Sequence, residues 1–327
     1  MAKQSRIEWT DATWNPVVGC SRVSEGCEHC YAERMAGRLA RMGSEHYQEV
    51  VSEDGWTGTA AVAPETVWRA PLGWAKPRVI FVGSMGDIFR DQVPRRELYR
   101  ILYTAAGLPR HQFVLLTKRA DGMRGFFADL EEHKSGLKKM TGERWPLSNV
   151  WVGVSVENQR RADERLPYLM DVAEMGWNTW VSIEPLLGQL RLDEVMYADM
   201  VIGNVLDGSA LNVGGTRGAL PPLRTKPLKG VVVGGETGPG ARAMHPGWVR
   251  GLRDQCALFE VPFFFKQWGE WASTRDMAEK GVVTGHQWAS FPWGKCDVQM
   301  SRVGKRLAGR EVDGVVHDAL PWRKDGE

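Results

Sequence analysis

Short, nearly unbroken apolar runs recur through the middle of the chain. Those at residues 78–83, 112–117, 149–154, 179–183, 230–234 and 261–265 each predict a strand buried on both faces. Between them apolar positions return every three or four residues. That spacing predicts helices at 94–107, with Pro94 in the first turn, at about 120–130 and 159–170, and at 245–259. Ahead of these runs, residues 7–10 predict a short strand and 31–42 a helix with Met35, Leu39 and Met42 on one side. Residues 43–76 predict an excursion with little regular structure, and 191–228 break the rhythm as an insertion. Beyond Trp268 the pattern is lost.

Strands alternating with helices imply βαβ units and a parallel sheet. Six or seven such units predict an α/β fold, a closed or partial parallel (β/α) barrel, with a doubly wound open sheet as the alternative. The barrel is expected over residues 1–270, with insertions at about 43–76 and 191–228, followed by a small C-terminal appendage at 271–327.

Composition changes this picture little. The net charge of +2 gives no global electrostatic case for nucleic acid, so any such surface must be local. No apolar run approaches the length of a membrane span, and residues 1–10 do not resemble a signal peptide. Five cysteines is an odd number, and three are clustered, which favours a reducing, cytoplasmic compartment and a metal role over a disulfide framework. The 15 tryptophans are expected mostly in packing, with some able to stack on a planar ligand.

The clustered cysteines are Cys20, Cys27 and Cys30, separated by six and then two residues, on a loop punctuated by Gly19 and Gly26. Close spacing brings thiolates round one centre, and glycine lets the backbone curl to present them. Three readings stand: buried small hydrophobes, a zinc site completed by His29 or a distant residue, and an open three-cysteine iron–sulfur site. A polar, glycine-flanked loop is not a core segment, which sets the first reading back. Cys256 is expected in a helix core, and Cys296 is treated as incidental.

In a parallel α/β barrel, chemistry sits at the carboxyl ends of the strands. Each apolar run here ends in polar residues: Ser84 and Asp87, Thr117 and Lys118, Ser155 and Asn158, Glu184, Glu236, and Lys266. Strand ends meet solvent in any case, but the repetition on every strand suggests one shared polar cavity. The stretch Gly234-Gly235-Glu236-Thr237-Gly238 allows backbone to approach a ligand closely, yet it is neither a Walker loop nor a full dinucleotide fingerprint. Arg242 beyond it could clamp a carboxylate or phosphate, and His245-Pro246 is placed to open a helix.

A three-cysteine loop after the first strand of such a barrel resembles the radical S-adenosylmethionine (SAM) superfamily, whose usual spacing is Cys-x3-Cys-x2-Cys. This chain keeps the closing gap and widens the first to six. At finer grain it looks like a phage-associated three-cysteine family of unknown function. The matching segments are Ile7-Glu8-Trp9-Thr10, Trp14-Asn15-Pro16, Gly19 through Glu33, Ser182-Ile183-Glu184-Pro185-Leu186, Val233-Gly234-Gly235-Glu236, His245-Pro246 and Phe264 through Gly269, with a tail match from Val303 to Gly314.

The resemblance implies a [4Fe–4S] cluster on Cys20, Cys27 and Cys30. It also implies SAM on the remaining iron, cleaved to a 5′-deoxyadenosyl radical, and an external electron donor such as a flavodoxin. On that reading His29, Ser84, Asp87, Ser155, Asn158, Lys118 and Arg242 are candidate cofactor contacts, and Glu184, Glu236 and Lys266 candidate catalytic groups. Phage association implies a base in DNA, a hypermodified thymine among them, as substrate, in a host cytoplasm. Arg and Lys among tryptophans at 68–78, 217–229 and 266–271 would meet phosphates and bases. The rivals are a non-catalytic zinc or iron–sulfur nucleic-acid-binding protein, a radical DNA-repair lyase, and a hydrolase, for which no Gly-x-Ser-x-Gly elbow is present.

Overall fold

The structure, a computed structural model, describes residues 5, 7–141, 145–197, 201–212, 226–282, 287–293 and 296–323. Seven strands form a parallel sheet: β1 (Ala12–Trp14), β2 (Val79–Val82), β3 (Gln112–Thr117), β4 (Val150–Ser155), β5 (Asn178–Ile183), β6 (Val231–Gly234) and β7 (Phe263–Gln267). They lie side by side in chain order. An order without reversal is that of a barrel wall, not of a doubly wound sheet, whose order turns back on itself. Among the described residues β1 and β7 are not neighbours, so the wall is an open half-barrel and the closed barrel is not observed. Every residue of β2, β4 and β6 is buried, as expected of parallel strands covered on both faces.

The principal helices are α1 (Tyr31–Arg41), α2 (Arg95–Gly107), α3 (Ala120–His133), α4 (Gln159–Glu174) and α5 (Pro246–Leu258). Pro94 caps α2 from outside its first turn. The expected first strand is displaced. Residues 7–10 form a turn closed by the Thr10 N–H on the Ile7 carbonyl (3.1 Å), and β1 begins at Ala12. Trp9, 1% exposed, is an aromatic plug against Phe81 and Trp180, with ring centroids 4.8 and 5.2 Å away. Asp11 fixes the start of the strand, because its carboxylate accepts the Val79 N–H at 2.7 Å.

The chain divides into two compact units: Met1–Ser155 with Arg165–Trp180 and Thr225–Pro227, and Val156–Glu164 with Val181–Arg224 and Leu228–Glu327. In the first, α2 and α3 bury Ile101, Leu102, Phe126 and Phe127. Gly153 in β4 has a specific purpose. The Trp180 indole lies across it and donates Nε1–H to the Leu115 carbonyl at 3.3 Å, and a Cβ on Gly153 would stand 2.4 Å from that nitrogen. Gly153→Ala is therefore expected to cost about 2–3 kcal/mol, read as a lower urea midpoint.

Residues 43–76 contain more regular structure than their sequence suggested. Short pieces at Glu45–Gln48, Val51–Ser52, Gly55–Trp56, Ala61–Val62 and Glu65–Trp68 are each too brief to display a period. Ala61–Val62 pairs antiparallel with Val17–Val18, directly ahead of the cysteine loop.

In the second unit α5 buries Val249, Leu252 and Cys256. Within the 191–228 stretch, Val195–Tyr197, Val201–Gly203 and Ala210–Asn212 form a small antiparallel sheet, while residues 213–225 lie outside the described residues. The tail adds a second three-stranded sheet from Trp271–Ser273, Cys296–Arg302 and Trp288–Trp293. Its last part runs along β7, where Phe265 N–H donates to the His317 carbonyl at 3.0 Å and Phe264 bridges Asp318. A strand edge left open would invite pairing with another chain, and here the tail covers it.

The hairpin Glu311–Val312/Val315–Val316 turns through Asp313-Gly314, both at positive φ, as a two-residue turn requires. Asp313 also accepts from Arg250 (2.6 Å) and Arg253 (2.7 Å) of α5. The Arg250 hydrogen bond, against some burial and with help from Arg253, holds its carboxyl down at about 2. A carboxyl depressed in the fold stabilises above its unfolded pKa and loses that contribution as pH falls from about 4 toward 2. The stability gap between wild type and Asp313→Asn, followed by urea unfolding, is expected to be full at pH 6, to narrow below about pH 4 and to close only as the pH falls through about 2.

Candidate functional site

In the first unit the site begins with Gly19. It sits at φ +100°, a conformation that favours glycine. It bridges Gly86 in the loop after β2: Gly19 N–H donates to the Met85 carbonyl (3.2 Å), and Asp87 N–H donates to the Gly19 carbonyl (3.3 Å). Neither glycine has room for a side chain. A Cβ on Gly19 would stand 2.4 Å from the Thr59 carbonyl oxygen, and one on Gly86 would stand 2.7 Å from the Gly19 oxygen. Cys20 therefore leaves the sheet from a clasp made on one side by the β2 loop and on the other by residues 58–59.

The rest of the loop is held by local bonds. Glu25–Cys27 makes a 3-10 turn, Cys27 N–H donates to the Ser24 carbonyl (2.9 Å), and Cys30 N–H donates to the Cys27 carbonyl (3.3 Å). Cys30 caps α1, whose inner residues Ala32 and Ala36 join Val18, Tyr47, Val50, Ala61 and Met85 in a local core against which Cys30 packs. Tyr31 Oη donates to the Ser84 carbonyl (2.9 Å), tying the helix start to the β2 loop. Glu33 pairs with Arg22 (2.7 Å) and accepts Trp56 N–H (3.0 Å).

Polar groups surround this loop. Asp87, 7% exposed, accepts from Thr117 Oγ1 (2.7 and 2.8 Å), Phe89 N–H (3.1 Å) and Lys118 N–H (3.0 Å). Its carboxylate joins the ends of β2 and β3. Asn15 Oδ1 accepts from Ser84 Oγ and Met85 N–H, both at 3.1 Å. Arg119 Nη2 donates to Ser21 Oγ at 2.6 Å. Arg90, 3% exposed, donates Nη1 to the Thr59 carbonyl (3.0 Å) and Nη2 to the Gly58 carbonyl. Ser155 is buried and its carbonyl accepts from Arg165 Nη1 (2.6 Å). His29 is half-buried between the second and third cysteines.

All three thiols are free of disulfides. Burial, followed by the Asp87 charge, pushes Cys20 up to about 12 against the opposing field of Arg90. Burial also raises Cys27, but Lys118 and the backbone at Val23 and Ser24 outweigh it, so that thiol lies below its ordinary value. Cys30 is raised by burial. The three feel one another's charge.

In the second unit Glu184 and Lys266 form an ion pair at 2.9 Å, and Ser182 Oγ donates to Glu184 at 3.3 Å. The pair spans β6 because Gly234 between them has no side chain; a Cβ there would stand 2.6 Å from Glu184 Oε1. Glu236, 7% exposed, is gripped by Arg242 through its backbone N–H (2.8 Å), Nε (2.8 Å) and Nη2 (2.6 Å). Asn158 Oδ1 accepts Arg161 N–H (3.1 Å) at the start of α4, and His245 Nδ1 accepts Gly247 N–H (2.9 Å) as the cap of α5.

A family model described as a protein of unknown function, DUF5131, matches residues 4–321. The chain belongs to that family. No curated protein and no solved structure is a match. The matched residues include both the cysteine loop and the Glu184–Lys266 pair.

Several expectations are thus given places. Asp87 and Asn158 hold backbone, Ser84 Oγ is bound to the Asn15 side chain, and Glu236 and Arg242 hold each other. Lys118 supplies the charge that acts on Cys27. Sequence reasoning missed Arg90, and it gave no role to Asn15 or to the strand-end residue Thr117, whose hydroxyl holds Asp87. Arg90 carried no local signal, because what makes it notable is burial against residues 58–59. The expected stacking stretch at 68–78 is occupied internally: Trp68 is 3% exposed with Arg100 4.0 Å over its ring, and Arg78 stands 5.3 Å over Trp74. Residues 217–225 lie outside the described residues.

Among the described residues no group of three or more His, Cys, Asp or Glu side chains is gathered closely enough to hold a metal ion. The donor set is of the chemical type that a thiolate-bound group uses. It consists of three free cysteines on one anchored loop, with the cations Arg90 and Lys118 acting on them. No helix among those residues is long and apolar enough to cross a membrane.

Proposed function

We propose that this chain is a radical SAM enzyme in which Cys20, Cys27 and Cys30 hold a [4Fe–4S] cluster. The observation that carries the reading is the anchored loop of three unbridged thiols following β1 of a one-directional parallel sheet. When bound, the cluster supplies one-electron chemistry to SAM, with the electron coming from an external donor such as a flavodoxin. The chain's own task is to position and to exclude water, the usual division of labour with a cofactor of this kind. The Gly19 clasp fixes where Cys20 starts, the core under α1 fixes Cys30, and Lys118 offsets thiolate charge. His29 and Ser155 are further candidates for contact with SAM.

Glu184 and Lys266 are the groups we assign to the substrate. A salt-bridged carboxylate and ammonium can hold or hand on a proton once a ligand separates them. Glu236, fixed by Arg242, orients the glycine-rich turn after β6. The substrate we propose is a base in DNA, modified after synthesis, in a reducing cytoplasm. A base undergoing such chemistry must leave its stack.

The test is anaerobic purification with iron and sulfide analysis, visible absorption, and dithionite reduction with SAM. Iron and sulfide together with release of 5′-deoxyadenosine support the reading. One zinc per chain without SAM cleavage overturns it in favour of a nucleic-acid-binding protein. Salt-dependent DNA binding tests the substrate separately, since phosphate contacts weaken with added salt.

A further inference from the structure

Arg90 was not expected from the sequence, yet it is the most buried cation beside the cysteine loop. Its side chain is almost fully enclosed at 3% exposure, a costly place for a charge unless something nearby rewards it. Two neutral carbonyls, of Gly58 and Thr59, accept from its Nη atoms, and the carboxylates whose charge reaches it, Asp87 and Asp91, form no ion pair with it among the described residues. Its Nε is buried with no hydrogen-bond partner. The same Thr59 carbonyl is the atom against which Gly19 packs without a Cβ. One guanidinium thus fixes the segment that forms the outer jaw of the clasp on Gly19. The residue after Gly19 is Cys20, on which Arg90 also acts through its charge.

We infer that Arg90 is a positioning residue for Cys20: its two Nη atoms hold residues 58–59 against Gly19, and its buried charge offsets the negative charge on a Cys20-bound group. The inference rests on the cluster reading for its second half only. A positive charge kept close to a thiolate-ligated cluster favours the reduced, more negative state, because the attraction acts in a poorly solvated place. Losing that charge disfavours electron uptake. Losing only the fork, as with Arg90→Lys, leaves the charge but gives up the double carbonyl grip.

The experiment uses the full chain as wild type, Arg90→Lys and Arg90→Met. Hydrogen exchange is measured on protein without cluster, and a potentiometric EPR titration on protein reconstituted with iron and sulfide. Both variants are expected to exchange faster at residues 19–21 and 58–60, with the remaining strands unchanged. At a fixed solution potential, Arg90→Met is expected to show a reduced-to-oxidised ratio lower by about tenfold, or ~59 mV for one electron, while Arg90→Lys stays near wild type. A purely structural role would move exchange and leave the potential alone. Unchanged exchange in both variants overturns the clamp, and equal potentials in wild type and Arg90→Met overturn the charge role. A wild-type chain that takes up no iron and sulfide sinks the cluster reading and the charge role with it, while the exchange data still judge the clamp.

Discussion

Cys27→Ala is expected to abolish iron and sulfide incorporation, lowering both by at least about tenfold relative to wild type after identical anaerobic reconstitution. SAM cleavage should fall with them. Cys27 is the informative position because its thiol is the one that the surroundings push toward the thiolate, through Lys118 and the backbone at Val23 and Ser24 in opposition to burial. The fold should survive, since Cys27 is only half-buried and sits on a loop outside the local core. A circular-dichroism melt matching wild type beside an iron-free protein is therefore the expected pair of results. Retention of full iron and sulfide in Cys27→Ala would remove this cysteine from the ligand set.

Gly19→Ala is expected to produce the largest effect on stability, about 3 kcal/mol or more, together with loss of cluster uptake. Two costs add at this position. The backbone lies at φ +100°, which an L side chain rarely adopts, and the new Cβ would meet the Thr59 carbonyl at 2.4 Å and Val50 Cγ1 at 2.9 Å. Carbonyl oxygen is part of the backbone and cannot rotate aside. Urea unfolding reads the first effect, and iron analysis of the surviving folded fraction reads the second. An alanine variant with the wild-type midpoint would show that the clasp is looser than this geometry allows.

The order of strands and helices was legible because buried parallel strands announce themselves as apolar runs, as at residues 79–82 and 231–233. The first strand was misplaced by a few residues, because Ile7 and Trp9 are apolar for tertiary reasons: Trp9 fills a hole between Phe81 and Trp180. Residues 43–76 were read as irregular because four-residue helices and two-residue strands leave no period to detect.

The cysteines stood out as candidates by their spacing, and Glu184 and Lys266 by their places after strands. What Glu184 and Lys266 do to one another was not legible there. The ion pair depends on Gly234 standing between them, just as the reach of Trp180 to Leu115 depends on Gly153. A glycine inside a strand records an absence that only the neighbouring strand can explain. Arg90 was invisible for a similar reason, since its partners lie some thirty residues earlier in an excursion that the periodicity did not resolve.

The clasp on Gly19 has a bearing on the width of the first cysteine gap. The chain is gripped at Gly19 and again where Cys30 enters the core under α1, and it is lashed down between those moorings as well, by Arg119 on Ser21, by Arg22 on Glu33 and by the turn at Glu25–Cys27. The six-residue gap is thus a fitted length: a residue added or removed there has to undo one of these lashings, and a single residue inserted between Val18 and Gly19 would drag Cys20 off its mooring.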